Sequence, residues 1–332
     1  MLRVVNATVI ATMFSLGAAV AEPSGTVYTA NELAGSISQV QLGSGKTTTV
    51  PLDIAPHNVQ VSPDGKWLLV VGMPGQGAHQ GHTAGGQLQV FDTGDLSKPA
   101  MALSAGQHPA HVVTDLAGQR AYVTDSAANE VQVFDLTARR KIAVIRTGKF
   151  PHGLRLSPDG KLLYIANMKG NSVSVIDTAQ GRETARIAVG KAPVQVGFAP
   201  DGREAYVSLS AENKLGVIDT AKRALVATIP VGRMPIQMFA TPDGKQLYVA
   251  NQGSNKAPDD KVSVIDPAQR KVLATLTTGP GAHGVAVDRS GAYVFVSNIQ
   301  AGTFSVIDSA TKTVVATHQV GAGPNGISFQ PD

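Results

Sequence analysis

Short runs of alternating apolar and polar residues recur along the chain, divided by turn-forming residues. Between residues 148 and 189 four such runs follow one another: GLRLS, LLYIAN, SVSVID and TARIAV. A period of two is typical of half-buried β-strands. Pro158-Asp159-Gly160 divides the first two runs, and this tripeptide favours a tight turn because proline presets φ and glycine accepts positive φ. The pattern predicts a unit of four short antiparallel strands.

This unit repeats along most of the chain. Residues 190–231 align with residues 148–189 position for position, and weaker copies begin at Gly106, Gly232 and Gly279. Equivalent prolines recur every 42 residues, at Pro109, Pro151, Pro193 and Pro235. Four strands per repeat at such intervals are typical of a β-propeller blade.

The two ends of the chain supply complementary parts of one blade. Residues 324–332 read as one innermost strand that stops inside its turn, and residues 24–41 begin with the strands that are missing after it. Together with six complete copies this predicts an all-β, seven-bladed propeller over residues 22–332, whose ring is closed by the N- and C-terminal strands in a shared blade. Such closure removes an open sheet edge.

Recurrent tetrapeptides carry a family resemblance. They are YTAN (28–31), YVTD (122–125), YIAN (164–167) and YVAN (248–251), accompanied by SVSVIDT at 172–178. These repeats resemble the YVTN family of bacterial β-propellers over nearly all of the chain. The resemblance implies a seven-bladed propeller of the cell envelope. It leaves the function open, because members include binding proteins, partners of redox enzymes and a few enzymes.

The first 21 residues have the pattern of an export signal. Arg3 precedes an apolar run over residues 4–20, and Ala19-Val20-Ala21 fits the small-x-small cleavage rule. The alternatives are a buried N-terminal strand or an anchoring helix, but the run is short for a membrane span. We expect cleavage before Glu22, a periplasmic location and no membrane span in the mature chain.

Composition narrows the range of partners. The 332 residues carry 28 Lys and Arg against 24 Asp and Glu, a net charge of +4, and the cations are scattered. A nucleic-acid surface normally shows a basic stripe, so we expect no nucleic-acid partner. The chain has no cysteine, which excludes disulfides, thiolate nucleophiles and thiolate metal ligands. We expect a monomer.

Most of the histidines map to one face of the predicted ring. If the strands of each blade are named a to d from the channel outward, the d–a and b–c loops share one face, here called the top face. The start of each strand a rings the channel mouth there. The predicted ring positions are His57, His111, His152, Gln195, Gln237, His283 and Asn325.

The b–c loop of the first blade brings two more histidines to this face. Residues 72–88 span ten residues more than the matching loops, are rich in glycine, and contain His79 and His82. Imidazole is a common ligand of zinc, copper and nickel. The sequence therefore predicts a transition-metal or small-ligand site with this loop as a gate. Its candidate ligands are His57, His79, His82, His111, His152 and His283.

Three other interpretations stay open. The ring histidines can be inert hydrogen-bonding residues, since Gln and Asn occupy the same ring. The propeller can be a metal-free scaffold for an envelope protein partner. It can also be a histidine-dependent lyase or lactonase. The chain has no Gly-x-Ser-x-Gly elbow, phosphate loop or Cys-x-x-Cys-His motif, so we expect a binding protein rather than an enzyme.

Overall fold

The computed structural model describes residues 22–75 and 85–332. Within these ranges 28 strands form seven four-stranded antiparallel sheets. The predicted all-β, seven-bladed propeller is thereby confirmed. The predicted signal peptide (1–21) lies outside the described residues, as do His79 and His82. No described helix has the length and apolarity needed to cross a membrane.

The strands follow the repeat. The first three are β1 (Thr26–Asn31), β2 (Ser36–Gln41) and β3 (Lys46–Pro51). Blade 1 contains β4 (Ile54–Val61), β5 (Trp67–Pro74), β6 (Gln87–Asp92) and β7 (Met101–Ser104). Blade 2 contains β8 (Pro109–Thr114), β9 (Arg120–Asp125), β10 (Glu130–Asp135) and β11 (Arg140–Arg146). Blade 3 contains β12 (Pro151–Leu156), β13 (Leu162–Asn167), β14 (Ser172–Asp177) and β15 (Arg182–Ala188).

The remaining blades continue this order. Blade 4 contains β16 (Pro193–Phe198), β17 (Glu204–Leu209), a 3-10 turn (Ser210–Glu212), β18 (Lys214–Asp219) and β19 (Ala224–Pro230). Blade 5 contains β20 (Pro235–Ala240), β21 (Leu247–Ser254), β22 (Ala257–Asp266) and β23 (Lys271–Thr277). Blade 6 contains β24 (Ala282–Val287), β25 (Tyr293–Asn298), β26 (Thr303–Asp308) and β27 (Thr313–Gln319). The last strand, β28 (Pro324–Gln330), joins β1–β3 in blade 7.

The apolar positions of the second and third strands hold neighbouring blades together. Tyr164 and Val175 of blade 3 pack with Val196 and Val207 of blade 4 in one buried cluster. Each large apolar side chain buried in this way stabilises the fold by roughly 1.5–3 kcal/mol. Equivalent tyrosines are almost fully buried in four other blades, at Tyr28, Tyr122, Tyr206 and Tyr248. The YVTN-type tyrosine is therefore a packing residue between sheets.

The ring closes as the sequence predicts, because β28 pairs antiparallel with β1. The Tyr28 hydroxyl donates to Gln330 Oε1 at 2.7 Å. Gln330 Nε2 in turn donates to the Gly65 carbonyl oxygen of blade 1 at 2.8 Å. Gln330 thus ties the N-terminal strand, the C-terminal strand and the next blade together.

Asp125, at the end of β9, organises a top-face loop rather than binding a ligand. Its side chain is 1% exposed. Its carboxylate accepts hydrogen bonds from the amides of Gln107 at 2.8 Å and His108 at 3.0 Å. It also accepts from the amides of Ala127 and Ala128, both at 3.2 Å. This acidic residue therefore fixes the loop that leads into β8.

We expect Asp125→Ala to lower the free energy of unfolding by about 3 kcal/mol, because several buried amides lose their acceptor. Asp125→Asn is the matched control, since asparagine stands at this position in four other blades, at Asn31, Asn167, Asn251 and Asn298. Asp125→Asn should lower the free energy of unfolding by about 1 kcal/mol. Urea unfolding followed by circular dichroism measures both. Equal losses in the two variants would contradict this account of the loop.

Candidate metal centre at the channel mouth

The first residues of each inner strand converge on the axis of the propeller. In all seven blades the register between strands a and b shifts by one residue near the start of strand a. In blade 3 the shift places His152 on the channel and Gly153 beside blade 4. A Cβ at Gly153 would collide with the side chain of Gln195. Glycine at this position thus lets a neighbouring polar side chain reach the ring.

Three ring histidines meet at the axis. The ring centroids lie 4.8 Å apart for His111 and His152, 5.3 Å for His57 and His152, and 5.6 Å for His57 and His111. One nitrogen from each ring lies within 4.8 Å of the other two. The shortest pair is His57 Nε2 to His152 Nε2, at 3.3 Å. Because these residues belong to blades 1, 2 and 3, the cluster lies across the top of the channel.

Glu32 fixes the proton on His57. Its Oε2 lies 3.2 Å from His57 Nδ1 and also accepts from Asn325 Nδ2. Burial raises the pKa of Glu32, but the hydrogen bond and charge of His57, together with Asn325, outweigh burial and lower it to about 2. An ionised carboxylate is an acceptor only. His57 can therefore donate to this carboxylate through Nδ1, and in the neutral ring its Nε2 then carries a lone pair.

His152 is held in the same tautomer. Its Nδ1 lies 3.2 Å from the Val194 carbonyl oxygen, to which it donates. Burial, and then the charge of His57, lower the pKa of His152 to about 3, so the imidazole is neutral. The Nε2 lone pairs of His57 and His152 consequently face each other. When both rings are neutral, such lone pairs repel unless a proton or a metal ion lies between them. Two ligand nitrogens of a tetrahedral zinc ion are ~3.3 Å apart, which matches this pair.

His111 is the third member of the cluster. It is 4% exposed, and its Nδ1 lies 3.5 Å from Gln195 Nε2. Burial, with the charges of His152 and His57, lowers its pKa well below the usual value. His57 and His152 are thus oriented through Nδ1 by a carboxylate and by a backbone carbonyl oxygen. Partners of this kind orient metal-bound histidines.

His283 lies in the ring but outside this cluster. It is 5% exposed, and its Nδ1 donates to the Asn325 carbonyl oxygen at 2.8 Å. Burial, followed by the charge of His57, lowers its pKa to about 4. Of the six predicted ligands, the described structure brings together His57, His111 and His152. That His79 and His82 also act as ligands stays a prediction.

Two residues at the axis were not selected by sequence reasoning. Glu32 follows the buried Asn31 at the end of β1, and nothing in the blade repeat indicates that it reaches blade 1. Arg155 gave a clearer signal, because it is the single charged residue in the seven inner strands. Its position in the otherwise apolar run GLRLS of β12 marks a side chain that faces the channel.

Comparisons with known families agree with a propeller. The family described as SMP-30/Gluconolactonase/LRE-like region matches residues 6–212. A second family, described as YNCE-like beta-propeller, matches residues 182–332. A comparison with curated proteins gives no match.

Several solved structures share the fold. Hydrazine synthase of Kuenenia stuttgartiensis is 23% identical with a TM-score of 0.71, over 83% of this chain and 90% of that chain. A functionally unknown protein of Desulfotomaculum acetoxidans is 17% identical with a TM-score of 0.76, over 93% and 100%. A putative 6-phosphogluconolactonase of Bacteroides uniformis is 17% identical with a TM-score of 0.73, over 92% and 99%. At these identities the likeness is one of fold.

Proposed function

The chain belongs to the SMP-30/gluconolactonase/LRE-like family, and we propose that it binds a transition metal ion through His57, His111 and His152. The observation that carries this proposal is the 3.3 Å approach of His57 Nε2 to His152 Nε2. Both rings use Nδ1 elsewhere, on Glu32 and on the Val194 carbonyl oxygen. A cation between the two lone pairs removes their repulsion. We further propose that this binding takes place in the periplasm.

The donor set favours a particular class of metal. Neutral imidazoles suit zinc, copper and nickel, whereas calcium and magnesium prefer oxygen ligands. Burial, followed by the charges of neighbouring histidines, lowers the pKa of His111 and His152, so no proton competes for the nitrogens of these two rings at neutral pH. Three histidines also leave a tetrahedral ion one open position, which is the pattern of catalytic rather than structural zinc sites.

That open position favours a second candidate function, the hydrolysis of a cyclic ester. The family match over residues 6–212 supports it, because the family is named in part after gluconolactonase. A zinc ion with three histidines lowers the pKa of a bound water to near 7. In this chain Glu32 would hold His57 in place, and the buried ring would exclude bulk water from the ester.

A titration of the metal-free protein tests the proposal. Protein prepared without a histidine tag and stripped with chelator is titrated with zinc, copper and nickel in a calorimeter, and its melting temperature is recorded with each ion. We expect one ion per chain and a higher melting temperature with at least one metal. Absence of both heat and shift with all three ions would overturn the metal site. A zinc-dependent opening of simple lactones would add the second function.

A further inference from the structure

Arg155 places a positive charge on the channel axis below the histidine cluster. Its Nη1 donates to Gln60 Oε1 of blade 1 at 3.4 Å. Its guanidinium carbon lies 5.5 Å from the ring centroid of Phe239 in blade 5. A side chain from blade 3 that meets both of these non-adjacent blades has to cross the channel. His152 precedes Arg155 by three residues on β12, a distance of ~10 Å along the strand.

This guanidinium has no counter-charge in the chain. No described carboxylate forms an ion pair with it, and its long hydrogen bond to Gln60 uses a neutral acceptor. The undescribed residues 1–21 and 76–84 contain neither Asp nor Glu. Burial lowers the pKa of Arg155 to about 10, so it is still a cation at neutral pH. A half-buried cation without an anion is a place where a ligand can supply the negative charge.

A second donor, two residues nearer the histidine ring, also lacks a partner among the described residues. Gln237 is 3% exposed, and its Nε2 has no hydrogen-bond partner among the described residues. It lies on β20, two residues before Phe239, whose ring the Arg155 guanidinium faces. An amide N–H without an acceptor and a guanidinium whose hydrogen bond goes to a neutral side chain are groups that can bind an oxyanion.

We infer that the channel binds a small oxyanion, a carboxylate or phosphate group of a ligand, through Arg155 and Gln237. A cavity of about 760 Å³ opens on the face opposite the histidines, and its wall contains Phe239, Arg289 and three aspartates, Asp64, Asp288 and Asp332. It reaches the Phe239 ring that the Arg155 guanidinium faces. This site depends on contacts of Arg155 and Gln237 alone and stands without any metal.

The position of the site also indicates how it works with the histidine cluster, and this step rests on the proposed function. A divalent ion held by three neutral imidazoles keeps its charge of two, and Arg155 adds another. Among the residues that the structure describes, Glu32 is the one carboxylate in contact with the cluster. An anionic ligand that reaches from Arg155 toward the histidines would balance this excess. The substrate class is thus a small acid whose charged group lies on the channel side of the metal.

Calorimetric titration with inorganic phosphate and with acetate tests the site. Both probes are added to metal-free and to zinc-loaded wild-type protein at low ionic strength, after zinc stoichiometry has been measured separately. We expect one site per chain for at least one probe in both forms. Arg155→Met should weaken that binding at least tenfold, and Arg155→Lys, which keeps the charge but loses the planar fork, should weaken it less. Tighter binding of phosphate or of acetate shows whether the ligand's anionic group is a phosphate or a carboxylate.

Arg182→Met is the matched control, because it removes the same charge from an exposed position on β15 and should leave binding unchanged. If Arg155→Met fails to fold, Gln237→Leu, of similar volume, gives the same comparison and should weaken the probe severalfold. No saturable binding of either probe, or equal binding by wild type and Arg155→Met, would overturn the anion site. Anion binding without zinc binding would instead overturn only the metal proposal.

Discussion

Replacement of His152 by alanine is expected to lower the zinc affinity of the protein roughly a thousandfold. A zinc site typically releases ~10–16 kcal/mol on binding. Shared among three histidines and one further ligand, this is about 2.5–4 kcal/mol per ligand, and the upper end corresponds to three powers of ten. His152 is the sharpest choice, because its Nε2 forms the 3.3 Å pair with His57. Competition between the protein and a chromogenic chelator measures the affinity.

His318→Ala is the matched control for this measurement. His318 lies on the outer strand β27, where its ring stacks on Phe304 at 5.0 Å between centroids. Its loss removes an imidazole without touching the channel, so zinc affinity should stay within a factor of two. Equal affinity of His152→Ala and wild type would show that zinc binds elsewhere. The same loss in both variants would indicate a general effect on folding.

The architecture of this protein is predictable because one blade equals one sequence period. The interval of 42 residues between Pro109 and Pro151 fixes the blade length. The half-unit at residues 324–332 predicts the ring closure, because the strands that it lacks are supplied by the N-terminal part of the chain. The approach of ring histidines from different blades also follows from connectivity, because every strand a starts at the same mouth.

It was harder to predict which histidines form the cluster, because the spacing of residues within a blade does not show which side chain reaches the axis. The residue that reaches the axis directly follows the proline for His57 and His152, but comes one position later for His111. The one-residue shift between strands a and b is the same in all three blades, so the pairing pattern does not account for this difference. His283 also follows the shifted start, yet its Nδ1 binds the Asn325 carbonyl oxygen. Sequence spacing does not encode such contacts between blades.

Arg155 illustrates a different limit. Its charge within an inner strand is visible in the sequence. Arg155 was not selected as a candidate, because the prediction considered only imidazoles as metal ligands. The decisive property, a cation without a carboxylate partner, follows from contacts with Gln60 and Phe239 that join blades 1, 3 and 5. Only the closed ring brings these distant segments to one axis.

Acidification of the metal-free protein is expected to remove stability between pH 6.5 and pH 4, and His283 alone should account for roughly 3 kcal/mol. Burial, followed by the charge of His57, lowers the folded-state pKa of His283 from 6.5 to about 4. The unfolded chain therefore takes up a proton first as the pH falls. The stabilisation is complete above pH 6.5, decreases as the pH falls toward 4, and changes no further below that value.

His283→Asn isolates this contribution, because blade 7 already carries asparagine at the equivalent position, Asn325. The free energy of unfolding is measured with urea at several pH values between 7 and 4. The variant should lose stability less steeply than wild type, by about 1.4 kcal/mol per pH unit, whatever its stability at pH 7. Parallel slopes would mean that His283 is protonated in the folded ring. Further loss below pH 4.5 is expected in both proteins, because the pKa of Glu32 is lowered to about 2 in spite of burial, through His57 and Asn325.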